Sequence, residues 1–199
     1  DKRIFFYQGI LYENLSIFEE AEKQYDRYLN HEPEDREIML RQARLLFRMG
    51  KWEKAIAQYQ TLVLKNPKDT TSLINLGLAY QKRFEADNAD KSKTRKSDAE
   101  LQSLLAEGIL NLEKAKLVDP NLSKGVSLAL AKMYFQKGDW AKAIDATQSD
   151  LRRFPSDQNR DALLILAQSY EKLDDKTNLL ETYQKLSDQE PQNSNYKRK

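Results

Sequence analysis

The sequence predicts an all-α fold built from about five consecutive antiparallel helical hairpins. Three observations lead there: a recurring spacing of small residues and prolines, a large residue at a fixed register beside them, and apolar positions three, four and seven apart. The five prolines, Pro33, Pro67, Pro120, Pro155 and Pro191, have Ala21, Ala55, Gly108, Ala143 and Leu179 twelve residues before them. Gly9, Ala43, Ala131 and Ala167 precede four of these prolines by 24 residues, and Gly77 precedes Pro120 by 43. Three residues after each comes Tyr12, Leu46, Tyr80, Tyr134 or Tyr170, and the first two units stand 34 residues apart at every anchor. Self-similarity at a period of roughly 20–50 residues is the signature of a repeat array.

Each anchor has a physical reason. A small residue on each of two antiparallel helices lets the backbones approach, and a large side chain fills the space beside them. Phe5, Tyr12 and Leu15, then Ala21, Tyr25 and Tyr28, follow the helical face period, so both halves of the first unit read as amphipathic helices. Gly50 and Gly138, each followed two residues later by Trp52 or Trp140, mark the turn inside a hairpin, because glycine takes the left-handed backbone that ends a helix. Proline ends the second helix, and polar neighbours (Asn66, Lys68, Asp69; Ser156, Asp157) begin the next.

These marks divide the chain into units at 2–35, 36–69, 70–122, 124–157 and 160–193. The third is longer by 19 residues, all of them between Tyr80 and Gly108, which places an insertion at about 83–101 inside its hairpin. The outer parts of that insertion can extend the flanking helices. Its centre, KSKTRK at 91–96, reads either as a basic docking strip or as a solvated loop. Residues 194–199 read as a basic tail or as the start of a further helix, with the array expected to continue in a longer parent.

The segments RMGKWEKAIAQYQTLVLKNPKD at 48–69 and QKGDWAKAI at 136–144 carry a turn glycine, an aromatic and a second-helix alanine in order. In this the chain resembles the tetratricopeptide-repeat (TPR) family over about residues 2–193. The resemblance implies a right-handed α-solenoid whose first helices line a concave groove that holds a peptide or helix of a partner protein. Three departures stand out: Ile17 follows a turn without glycine, Leu179 stands where alanine is usual, and Thr147 replaces an aromatic. These units are expected to pack less regularly.

Carried over from the family, the groove positions here include Tyr7 from the first unit and Leu40, Arg41, Arg44, Phe47 and Arg48 from the second. Asn75, Gln81 and Lys82 follow from the third unit, and Lys132 and Phe135 from the fourth. Arg41, Arg44 and Arg48 recur at three and four residues and share one helical face, so the implied groove is basic with apolar rings at its edge. Guanidinium groups pair bidentately with carboxylates, which favours a partner segment mixing acidic and apolar residues. The bland reading is an arginine row that keeps the array soluble. The carboxylate clamp that holds chaperone tails in some family members is met by Asn75 alone, its other positions being Leu40, Arg44, Gly125 and Ala129. Binding of a chaperone C-terminal tail is therefore not expected.

Composition argues against catalysis and cofactors. With no cysteine and His31 as the single histidine, neither a His-based triad nor a Cys/His zinc site can be assembled. The six glycines are too far apart for a nucleotide-binding loop. We therefore expect no catalytic, cofactor-binding or metal-binding residues. A formal net charge of +2 makes nucleic acid the less favoured partner. Self-assembly through an open end of the array is a second reading of the function. The longest run free of charged residues, 70–81, is too short for a membrane span of roughly 20 residues. No leader is expected within the chain, and its composition suits cytoplasm and bacterial periplasm equally.

Overall fold

The structure is a computed structural model that describes residues 1–90, 96–122, 124–153 and 159–189. Among the described residues there are ten helices and no strand: α1 (Lys2–Asn14), α2 (Phe18–Leu29), α3 (Arg36–Arg48), α4 (Trp52–Lys65) and α5 (Thr70–Ala89), then α6 (Asp98–Val118), α7 (Lys124–Lys137), α8 (Trp140–Arg153), α9 (Arg160–Lys172) and α10 (Lys176–Gln189). The fold is an all-α helical repeat. Its helices fall into two compact units, Asp1–Ser97 and Asp98–Lys199. The two helices of the third repeat, α5 and α6, lie one in each. In both units every helix packs on the next in sequence, and first helices also meet directly, α3 with α5 and α7 with α9. None of the described helices is long and apolar enough to cross a membrane. The centre of the insertion, 91–95, the prolines Pro155 and Pro191, and the basic tail lie outside the described residues.

The first hairpin shows why the small residues are needed. A Cβ built on Gly9 would sit 2.5 Å from the ring of Tyr25, so α1 and α2 touch at a distance only glycine allows. Tyr25 is fully buried, in a cluster with Ala21, Ile38 and Leu45 against which Phe6, Ile10 and Tyr12 pack. In the second unit Leu163, Leu166, Ala167, Tyr170 and Leu186 form the corresponding cluster, and Leu179 joins it from the side. Each leucine or isoleucine of these clusters contributes about 1.5–3 kcal/mol by leaving water.

All four described hairpin turns are built alike. Ser16, Gly50, Gly138 and Asp174 have φ of 59°, 71°, 86° and 55°. In each turn the amide of the following residue reaches five residues back: Ile17 to Tyr12, Lys51 to Leu46, Asp139 to Tyr134 and Asp175 to Tyr170. That is a left-handed helix cap with its carbonyls satisfied. The expected irregularity of the first turn does not occur: Ser16 adopts the glycine conformation and leaves the hydrogen bonds unchanged. Thr147 is also accommodated, fully buried with its hydroxyl donating to the Ala143 carbonyl at 2.6 Å.

Joints between hairpins carry their own polar links. Gln60 on α4 donates to the Tyr80 hydroxyl on α5 at 2.8 Å, and Gln148 on α8 donates to Tyr170 on α9 at the same distance. At the α2–α3 joint Leu46 replaces the tyrosine, and Gln42 instead donates to Asp26 at 2.5 Å. Arg36 reaches one repeat ahead to the buried Asp69 carboxylate at 2.6 Å, and Lys65 reaches back to Glu34 at 2.6 Å.

Candidate partner-binding surface

In the unit Asp1–Ser97 the expected groove residues sit on α1, α3 and α5. Helix α3 starts at Asp35, whose carboxylate accepts the amides of Glu37 and Ile38. From that cap the helical period puts Ile38 and Leu45 into the core and turns Arg44 and Arg48 outward. Tyr7 is 66% exposed on α1, edge-on to Phe6 with ring centres 5.1 Å apart. Phe47 is half-buried against the edge of Trp52 at 5.3 Å. Asn75 is half-buried and Lys82 exposed on α5.

The three arginines have different surroundings. The Arg41 Nε donates to Glu37 at 3.1 Å, and its guanidinium stands 3.9 Å from Glu13, the carboxylate that also accepts the Tyr25 hydroxyl. Burial, with the Glu13 carboxylate beside it, pushes the Tyr25 phenol far above its ordinary pKa, so it stays a donor at any physiological pH. Arg48 lies over the ring of Phe18, 4.5 Å from its centre. Arg44 is exposed and has no ion pair or hydrogen bond among the described residues. Lys82 is paired with Glu85 at 2.7 Å. The implied row of free positive charge thus narrows to Arg44, with Arg48 committed only to an aromatic face. Leu40 and Gln81, also carried over as groove positions, are buried and line no open surface.

In the unit Asp98–Lys199, α7 carries Lys132, 3.7 Å from Asp161 of α9, and the half-buried Phe135. A recess of about 320 Å³ beside α6, α7 and α8 holds Glu113, Tyr134, Lys142 and Asp145. There the Tyr134 hydroxyl donates to Glu113, and the Lys142 ammonium stands 5.5 Å over the tyrosine ring. The recess has both signs of charge already engaged within it. Among the described residues no group of three potential metal ligands converges.

Sequence reasoning did not recognise Glu13 and Glu37 as counter-ions to Arg41. Their spacing gives a signal for one of them: Glu37 stands four residues before Arg41, the favourable order for a helical ion pair. Glu13 lies 28 residues away and is brought in only by helix packing.

Helical hairpins packed in sequence, with first helices meeting α3 to α5 and α7 to α9, define a helical-repeat protein. Residues 18–76 match a tetratricopeptide-repeat model, and residues 161–193 match a second one. Each of the two units thus carries a match to the tetratricopeptide repeat. It is 24% identical over 144 residues to the Hsp70-Hsp90 organizing protein of Triticum aestivum, an alignment covering 72% of this chain and 21% of that protein. The chain therefore spans about a fifth of the length of that relative. Among solved structures it is similar to a thermophilic TPR protein of Thermus thermophilus, with 20% identity, a TM-score of 0.59, and coverage of 99% of this chain and 95% of the other. It is also similar to MamA, with 18% identity, a TM-score of 0.78, and coverage of 98% and 94%. These likenesses concern the fold.

Proposed function

We propose that the chain is a non-enzymatic protein-interaction scaffold and that the face of α1, α3 and α5 binds a partner segment carrying both acidic and apolar residues. The observation that carries this reading is Arg44: exposed, without a counter-ion among the described residues, and on the same helix as Phe47. A carboxylate meeting Arg44 gains a bidentate charged contact, while Arg41 is already held by Glu13 and Glu37. Tyr7 and Phe47 supply rigid apolar area for a neighbouring side chain. Asn75 is the polar group on α5 placed to fix a backbone amide of the bound segment. In the second unit α7 also carries a cation and an aromatic, Lys132 and Phe135, with Lys132 standing 3.7 Å from Asp161.

The relative named for Hsp70 and Hsp90 raises the question of chaperone tails. Of the clamp positions only Asn75 conforms, and the clamp lysine position on α3 holds the buried Leu40. The reading here is an internal acidic and apolar segment, not a free C-terminal carboxylate.

The test is crosslinked capture of partners with the wild-type chain, Arg44→Glu and Arg44→Lys, followed by titration of the captured segment at two salt concentrations. Loss with Arg44→Glu, partial retention with Arg44→Lys and weakening by salt support the groove. Equal capture by all three chains removes it.

A further inference from the structure

Asp26, Glu113 and Gln148 stand five residues after the small anchors Ala21, Gly108 and Ala143, on α2, α6 and α8. Each of these helices shares a unit with the two helices that follow it, so α2–α3–α4, α6–α7–α8 and α8–α9–α10 are three comparable sets. Gln60 has the same register on α4, but the third helix of its set, α6, belongs to the other unit.

In the first set Gln42 of α3 donates to Asp26 at 2.5 Å, and Gln58 of α4 donates to Gln42 at 2.9 Å. Lys54 of α4 also pairs with Glu22 of α2 at 3.0 Å. In the second set the Tyr134 hydroxyl of α7 donates to Glu113 of α6. Both sets contain a carboxylate of their own. The third has the neutral Gln148 instead, which donates to the Tyr170 hydroxyl at 2.8 Å. The proton of that hydroxyl then has no acceptor among the described residues.

The space differs accordingly. Helices α8, α9 and α10 line a recess of about 730 Å³, against about 320 Å³ for the corresponding recess one repeat earlier. The larger one lies within the roughly 300–1,000 Å³ usual for ligand sites. Leu163, Leu166 and Tyr170 of α9 are its buried side. Arg152 of α8 and Lys185 of α10 line it from either side, both exposed and without an ion pair or hydrogen bond among the described residues. Glu181 of α10 is in the same state.

The opening follows from these residue types and not from the length of the chain. The smaller recess is lined only by α6, α7 and α8 among the described residues, although α9 and α10 follow them. The turn Asp119–Leu122, between α6 and α7, does not line it either. By the same geometry, a hairpin after α10 leaves the larger recess uncovered.

We propose that the recess between α8 and α10 binds an aspartate or glutamate side chain on an extended segment of another protein. That carboxylate plays the part of Asp26 and Glu113, accepting from Tyr170 and pairing with Arg152 and Lys185. Glu181 accepts a backbone N–H beside it, which favours a peptide over a free diacid whose second charge Glu181 would repel. Leu163 and Leu166 receive an apolar neighbour of the acid.

The test is a nuclear magnetic resonance titration of the full chain with the capped tripeptide Leu-Glu-Leu, with capped Leu-Gln-Leu and glutarate in parallel. Saturable shifts at the amides of Tyr170, Glu181 and Lys185 are expected with Leu-Glu-Leu, and weaker binding of the other two. Arg152→Glu should weaken the peptide at least about tenfold, and Arg44→Glu should leave it unchanged. Gln148→Glu, which supplies the carboxylate from within, should abolish binding. Circular dichroism establishes that the variants keep their helix content, and the exposed Arg152 keeps the test decisive if Gln148→Glu does not. Absence of saturable shifts, equal binding of Leu-Gln-Leu, or indifference to Arg152→Glu overturns the proposal. Tighter binding of glutarate assigns the recess to a free acid and overturns a protein segment. Binding that emerges only after Asp157→Asn or Glu190→Gln assigns it to an acid of the chain itself, with the same consequence.

Discussion

Ser16 and Gly50 stand at the same point of successive hairpin turns and share a left-handed backbone, with φ of 59° and 71°. Serine pays for that conformation with a crowded Cβ, about 1–2 kcal/mol in the left-handed region, whereas glycine does not. Glycine is also freer in the unfolded chain, which offsets part of the gain. Ser16→Gly is therefore expected to stabilise the protein by about 0.5–1 kcal/mol, and Asp174→Gly, with φ 55°, likewise. Gly50→Ala and Gly138→Ala should move the midpoint of urea denaturation the other way.

Two other glycines separate close packing from helix propensity. Gly9→Ala drives a methyl group into the Tyr25 ring, and overpacking of this kind costs about 1–3 kcal/mol. Gly125, in the first turn of α7, has open space where its Cβ would be, so Gly125→Ala should gain up to about 1 kcal/mol from propensity. Thermal melting of the two variants reads the difference directly.

Two carboxylates make stability depend on acid. For Asp69, burial works to raise the pKa, but the Ser72 hydroxyl and the Arg36 guanidinium outweigh it and hold the group below its ordinary 3.8. Burial likewise opposes ionisation of Glu22, and Lys51 and Lys54 override it, keeping the group below 4.5. Because both folded values are depressed, the unfolded chain takes up protons first as the pH falls. The stability they confer is present at neutral pH, declines once the pH drops below about 4, and is gone below the folded values. Urea midpoints at pH 7 and pH 3 should show this loss. Asp69→Asn should lower stability at pH 7 by about 1–3 kcal/mol and flatten the dependence.

Arg41 and Arg44 look alike in sequence and should behave differently. Arg41→Ala leaves the partly buried Glu13 without its cation and is expected to cost about 1 kcal/mol of stability. Arg44→Ala breaks no ion pair among the described residues and should stay within about 0.5 kcal/mol. Denaturation of both variants gives the comparison, and any partner titration should show the opposite ranking.

The helical hairpins were legible because glycine, alanine and tyrosine at fixed spacing have few physical explanations besides close helix contact. Gly9 against Tyr25 is that contact realised. The left-handed residues at Ser16 and Asp174 were not legible, since neither type declares a positive φ, and only alignment with Gly50 and Gly138 would have exposed them. At the candidate site, periodicity put Arg41, Arg44 and Arg48 on one face. Which of them remained free depended on Glu13 and Phe18, brought in by packing across helices that sequence spacing does not encode.

The glutamine-to-tyrosine bond at the α4–α5 and α8–α9 joints bears on how such a protein can change over generations. Donor and acceptor recur at matching positions, so a whole hairpin duplicated or transplanted at these joints would meet a neighbour that already carries the complementary group. A break within a hairpin would strand half of a Gly9–Tyr25 type of contact, while a break at the α4–α5 or α8–α9 joint separates a donor and an acceptor that both recur at the other joint. Lengthening or shortening by complete hairpins is the change these joints tolerate best, because an incoming hairpin brings the hydrogen-bonding partner that the joint requires.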